Sequence, residues 1–322
     1  MVGPVLLDVT RIIAPMHLMV PFASVVSQAG RAAIASSSLP SLRALLARLD
    51  ASEPDAGDEW SLGTPHERAL ARELGLVGDD GALPWAARLA AGDGIETGEL
   101  AWGLLSPTHW HVGTDLVSLA DPDALALDAD ASRALLTAVA PLFEADGFVL
   151  RWGAPTRWYA AHASLAGLRT ASLDRVIGRN VDRWLPSGAA SRTLRRLQSE
   201  VQMLLYTHPL NAEREARGLL PVNSFWASGC GVRQPAREAQ SLLMLDALRG
   251  PALAEDWAAW HHAWQALDAG PLAEALAARG PFTLTLAGER SAQRFEMRDA
   301  AWWSRIARRW RGADVVRTLE SL

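Results

Sequence analysis

Apolar residues recur at helical spacing along several stretches of the chain. Leu42, Leu45, Leu46 and Leu49 share a face over residues 40–49, and Leu135, Leu136, Val139, Leu142 and Phe143 do so over 130–145. From about Ala190 a third stripe holds Leu194, Leu197, Val201, Leu204 and Leu205. The spacing predicts a further helix over Leu173–Trp184, stopped by Pro186, and a short one from Pro84 to Ala91. Thr64 and Glu67 stand at capping-box spacing before TPHERALARELGL, which places His66 in a first turn as a surface residue. Strand-length apolar runs fall at His17–Ala23, Leu100–Leu105, Leu116–Leu119 and 241–245. FVLRWGA and RWYAAH read as a hairpin over 148–162 that turns at Ala154 to Thr156, and FTLTLAG pairs with RFEMR near the end. Between them lie an acidic connection over 51–63, read as a solvated loop, and a Trp-rich helix over DWAAWHHAWQALD. AAWWSRIARRWRG reads as a final long helix.

Alternation of strands and helices predicts an α/β protein, a mixed sheet flanked by helices with a Trp-rich α+β C-terminal portion. Composition shifts divide it into residues 1–96, 97–232 and 233–322. The length, 322 residues, exceeds what one core usually serves. Hydrophobic residues at 49% and charged ones at 21% exclude a disordered chain. The apolar N-terminus is broken by Asp8, Arg11 and prolines, so neither a signal peptide nor a membrane span is expected, and the lone Cys230 suits a reducing cytoplasm. All 31 basic residues are Arg, which excludes Schiff-base lysine chemistry and lysine-dependent phosphate loops. A net charge of −5 gives no reason to expect whole-surface binding to nucleic acid.

The most distinctive stretch is HPLNAEREARGLLPVNSFWASGCG, from His208 to Gly231. Pro209 kinks or restarts a helix there, and Arg214, Arg217 and Gly218 form its C-terminal signal. His208 and Asn211 share a face, either as a ligand-facing pair or as a polar clamp towards Asn223. SGCG reads either as a glycine loop at Gly229 and Gly231 whose amides, with Arg233 just beyond, form an anion nest, or as a tight turn.

On His208-Pro209, Asn211, Arg214, Gly218, Pro221, Asn223 and Gly229-Cys230-Gly231 the chain resembles the proteobacterial RpfE-type regulatory proteins. That resemblance extends to HLMVPFA, AWGLLSPTHWHVGTD, the RWY hairpin and IGRNVDRWLP, leaving residues 1–15 as an extension or a mis-assigned start. Around 172–231 the chain is also similar to archaeal-type cofactor-independent phosphoglycerate mutases, of the alkaline-phosphatase-like superfamily. These need paired metal ions and a Ser or Thr nucleophile. Here Asp8 is followed by Val and precedes the resemblance, and His261 and His262 have no carboxylate cluster beside them. The resemblance therefore implies a cytoplasmic regulatory protein, a degenerate mutase-like domain that binds a phosphorylated metabolite or a protein partner through His208, Asn211, Asn223, Gly229, Gly231 and Arg233.

The alternative is a metal-dependent phosphatase or mutase with a rebuilt site, for which His109, His111 and Asp115 are the candidate divalent-metal ligands; hydrogen-bonded structural histidines are the default. Cys230 reads as a small buried residue rather than a nucleophile. Trp257, Trp260 and Trp264, at helical spacing, read as core, with a protein or base-stacking interface as the other option. Arg305, Arg308 and Arg309 on the last helix, with Arg311, Trp302 and Trp310, are a solvated face or a contact for nucleic acid or an acidic partner.

Overall fold

A computed structural model describes residues 16–188, 191–235, 237, 242–278, 280–297 and 313–322. In chain order the elements begin with β1 (Met16–Val20), α1 (Gln28–Ser36), α2 (Pro40–Leu46), β2 (Asp50–Ala51) and β3 (Asp55–Ala56). Then come α3 (Pro65–Leu74), α4 (Trp85–Gly92), β4 (Ala101–Thr108), β5 (Trp110–Val112), β6 (Val117–Leu119), α5 (Ala129–Glu144), β7 (Val149–Ala154) and β8 (Arg157–Ala161). They are followed by α6 (Leu173–Val176), α7 (Ser191–Tyr206), α8 (Pro209–Ala216) and β9 (Ser224–Val232). The last are β10 (Leu242–Met244), α9 (Arg249–Leu253), α10 (Trp257–Leu267), α11 (Ala273–Ala277), β11 (Phe282–Ala287), β12 (Ser291–Glu296) and α12 (Val315–Glu320).

The chain divides into two compact units, one made of Met1–Glu59 with Ala239–Leu322 and the other of Trp60–Glu238. These boundaries differ from residues 96 and 232. The second unit already begins at the acidic connection, and strands from both chain ends pair in the first, an association that local composition cannot register.

The split unit is built on a mixed sheet of order β10-β1-β11-β12-β2, with β3 also on β12. β1 runs parallel to β10 and β11, while β12 is antiparallel to β11, β2 and β3. The expected hairpin of β11 and β12 thus forms. The acidic connection is not wholly loop, because β2 and β3 add two short rungs to the sheet edge. Trp260 and Trp264 are fully buried and meet edge to face at 6.2 Å, so the Trp stripe is core. The final long helix expected over 300–312 lies outside the described residues, as do residues 1–15.

The second unit carries an antiparallel sheet of order β7-β8-β4-β9 and a separate β5-β6 hairpin. Its core joins the apolar faces of α5 and α7 to Trp158, Phe225 and Cys230. Ser132, in the midst of the α5 face, accepts from both Trp152 Nε1 (3.0 Å) and Trp158 Nε1 (2.9 Å) and donates to Pro155 O (2.8 Å). That network pins the helix to the β7-β8 turn.

The capping box at Thr64 and Glu67 forms, with Pro65 in the first turn and Gly75 at φ 71° closing α3. His66 is not a surface residue: its side chain is mostly buried, with Nε2 3.6 Å from Asp174 Oδ2. The helix expected over Leu173–Trp184 is also shorter. It stops at Val176, because Ile177 bridges to Leu119, Gly178 takes φ 74° and Asn180 bridges to Ser118.

Candidate functional site

The His208–Gly231 stretch is a joint in the second unit. His208 caps α8, its Nδ1 accepting from Leu210 N–H at 3.3 Å, and Pro209 takes the first helical position, where a missing amide costs nothing. Asn211, 5% exposed, donates from Nδ2 to Leu205 O (2.9 Å) and Val222 O (2.7 Å), while its Oδ1 accepts from Val222 N–H (2.9 Å). Asn223 makes a matching pair with the backbone of Trp110, accepting at 2.7 Å and donating at 2.9 Å. Arg214, also buried, donates to Leu220 O at 2.9 Å and to Leu125 O. Both Asn side chains therefore act as polar clamps between backbone segments, the second of the two readings of this stretch.

The stretch expected as a glycine loop or tight turn is part of a strand. Residues 228–231 continue β9 and pair with β4, Ser228 opposite Leu104 and Gly231 opposite Trp102. Three steps on β9 face two on β4, a bulge that Gly229 accommodates at φ 62°. A Cβ on Gly229 would stand 2.8 Å from Trp85 Cβ, and one on Gly231 2.9 Å from Pro84 Cβ. These glycines let α4 lie close on the strand. Cys230 between them is fully buried, and burial pushes its thiol up to about 12.

His109 and His111 do share a side, their rings 6.4 Å apart. His109 Nδ1–H donates to Pro221 O at 2.9 Å, which ties this segment to the same joint, whereas His111 and Asp115 are exposed. Among the described residues no group of three or more His, Cys, Asp or Glu is placed to hold a metal ion. In the split unit, His261 Nδ1 lies 2.9 Å from Ser37 Oγ, and Gln265 Nε2 lies 3.0 Å from His261 Nε2. Ser37 spends its one proton on Ala33 O at 2.7 Å. Nδ1 of His261 must then donate to Ser37, and the imidazole cannot serve it as a base.

One groove does gather unsatisfied charge. It encloses about 950 Å³ in the second unit and is lined by Arg88 of α4, Asp93 at its end, Arg157 of β8, and Arg233 and Gln234 just past β9. Arg157 clasps Asp93 through Nε (2.8 Å) and Nη2 (2.7 Å), and Tyr159 Oη donates to the same carboxylate at 2.6 Å. The guanidinium holds the Asp93 carboxyl below its ordinary range, and burial followed by the Asp93 bond raises the Tyr159 phenol. Gly153 leaves room for this cluster, since a Cβ there would stand 2.4 Å from Asp93 Oδ2. The side chains of Arg88 and Arg233 have no hydrogen-bond or ion-pair partner among the described residues.

Of the candidate site residues, Arg233 alone reaches this groove. Arg88, Asp93 and Arg157 were missed, because only the sheet β7-β8-β4-β9 with α4 across it brings them together. Arg305, Arg308 and Arg309 lie outside the described residues. Among the described residues no helix is long and apolar enough to cross a membrane.

No protein-family model matches the chain, and no curated protein matches it. Among solved structures it is similar to the cofactor-independent phosphoglycerate mutase of Thermoplasma acidophilum DSM 1728, at 12% identity and TM-score 0.36 over 95% of this chain and 99% of that one. It is also similar to the PH0037 protein of Pyrococcus horikoshii, at 9% identity and TM-score 0.41 over 88% and 87%.

Proposed function

We propose that this protein is a regulatory binder of a phosphorylated metabolite, with the phosphoryl group seated between Arg88 and Arg233. The observation that carries this reading is the pair of unpartnered guanidiniums facing one groove. Three guanidiniums there stand against one carboxylate, in a chain whose net charge is −5. Guanidinium forks match phosphate oxygens geometrically, and the groove's volume lies within the range of small-ligand sites. Arg157 is already committed to Asp93, so it stiffens the wall while the two free side chains supply the charge.

A ligand that binds only the folded chain raises its melting temperature. A thermal-shift series with inorganic phosphate and a set of phosphate monoesters should give such a rise, reduced at least tenfold in apparent affinity by Arg88→Ala with Arg233→Ala, since each charge-assisted bond contributes about 1.5–3 kcal/mol. An unchanged response in the double variant would remove the groove from consideration. Metal-dependent turnover of the same monoesters would favour the phosphatase reading instead.

A further inference from the structure

The groove follows α4, and its two ends differ in chemistry. The helix starts against β9, where Cβ atoms on Gly231 and Gly229 would collide with Pro84 and Trp85. It ends over β7 and β8, where Asp93 meets Gly153, Arg157 and Tyr159. Arg233, just past β9, therefore belongs to the first end and the clasp of Arg157 on Asp93 to the second. Arg88 stands between them on α4, five residues before Asp93, a separation of about 7.5 Å along the helix axis.

The second end does not suit another anion. Asp93 neutralises Arg157 there, and Ala91 and Gly92, in the last turn of α4, bring the negative end of the helix dipole to the groove. The clasp still has bonding capacity to spare. Asp93 Oδ2 accepts from both Arg157 Nε and Tyr159 Oη, whereas Oδ1 accepts one bond, from Arg157 Nη2, and a carboxylate oxygen offers two lone-pair directions. On the other partner the clasp uses Nε and Nη2 and takes nothing from Nη1. Neither side chain is closed off, Asp93 being 21% and Arg157 37% exposed. A spare acceptor and a spare donor therefore stand together in a charge-balanced pair. Neighbouring hydroxyls match it, one donating to the carboxylate and the next accepting from the guanidinium, whereas an ammonium group only donates and a carboxylate only accepts.

We infer that the ligand of the groove is a phosphate monoester of a hexose-sized sugar, its phosphoryl group between Arg88 and Arg233 and neighbouring ring hydroxyls on Asp93 Oδ1 and Arg157. This rests on the groove being the phosphoryl site. A hexose ring that carries its phosphoryl group on an exocyclic carbon has the length needed to reach from Arg88 to Asp93 along α4. Its hydroxyls add bonds to the clasp without breaking those already made, so the gain is not offset by the loss of an existing contact.

The test titrates the full chain by calorimetry at fixed ionic strength and about pH 8, where phosphate monoesters carry their second charge. The probes are inorganic phosphate, glucose 6-phosphate and cyclohexylmethyl phosphate, which keeps a ring and the phosphoryl group and lacks every hydroxyl. The sugar ester should bind at least tenfold more tightly than its hydroxyl-free counterpart, since one hydrogen bond to a charged group is worth about that factor. In Asp93→Asn the ratio of the two affinities should fall to within about twofold of unity. Equal affinities for the two esters in the wild type would overturn the sugar subsite and leave the phosphoryl site standing, and this comparison decides by itself if Asp93→Asn does not fold. An undiminished ratio in Asp93→Asn would overturn the assignment of the subsite to the clasp. Absence of binding for all the probes would remove the phosphoryl site and the sugar reading with it.

Discussion

Asn211→Ala separates a clamp from a ligand contact. In the wild type one buried side chain satisfies the N–H and C=O of Val222 and donates to Leu205 O. Leu205 O also accepts from His208 N–H at 3.2 Å, so it stays paired in the variant. The two Val222 groups lose the partner that Asn211 provides, at a site where the wild-type residue is 5% exposed. Leaving a buried polar backbone group unpaired costs about 1–3 kcal/mol, so the substitution should destabilise the second unit by roughly 2–6 kcal/mol. With a urea slope near 3 kcal/mol/M, the midpoint should drop by about 0.7–2 M. Hydrogen exchange gives the local version, since the Val222 amide should lose protection before its neighbours on β9. Asn211→Asp should cost at least as much, because a second carboxylate oxygen would then face the Val222 and Leu205 carbonyls. An unchanged midpoint together with lost ligand binding would refute the clamp and restore Asn211 as a contact residue.

Cys230, enclosed in the core with its thiol pushed up to about 12, should not react with a disulfide reagent at neutral pH until urea unfolds the chain; reaction of the native protein at the rate of a free thiol would contradict its placement. Gly229→Ala should lower the thermal midpoint, combining a left-handed backbone penalty of about 1–2 kcal/mol with a collision against α4 at 2.8 Å; a variant as stable as wild type would show that the bulge is misplaced.

What was legible in the residues was what neighbours in the chain decide. The capping box at Thr64, the stripes of α5 and α7, the turn between β7 and β8 and the restart at Pro209 all depend on contacts within a few positions, and all form. The errors occur where a distant partner wins. Ser228 to Gly231 has the composition of a loop, yet pairing with β4 makes it strand, and its glycines answer to α4 packing rather than to a ligand. Ile177 leaves the helical pattern because Leu119 offers it a bridge. The split unit is invisible for the same reason, its sheet being closed by β10 and β11, more than two hundred residues after β1.

The same distinction bears on how function is located. His208, Asn211, Arg214 and Asn223, which drew attention by their pattern, each have a backbone partner within 3.3 Å, and a group so satisfied gains little by meeting a ligand. A charged side chain left without a partner in a concave surface is in the opposite position, since a bound anion adds bonds without first breaking any. Arg233 satisfies that condition because β9 is held in register through its bulge and delivers the residue to the groove rim immediately after the strand. The joint and the groove are therefore parts of one construction, in which the clamps at Asn211 and Asn223 fix the strand and the strand positions the cation. Damage to the clamps should thus weaken anion binding only in proportion to the unfolding it causes, whereas loss of Arg88 and Arg233 should weaken binding at least tenfold and leave the fold intact.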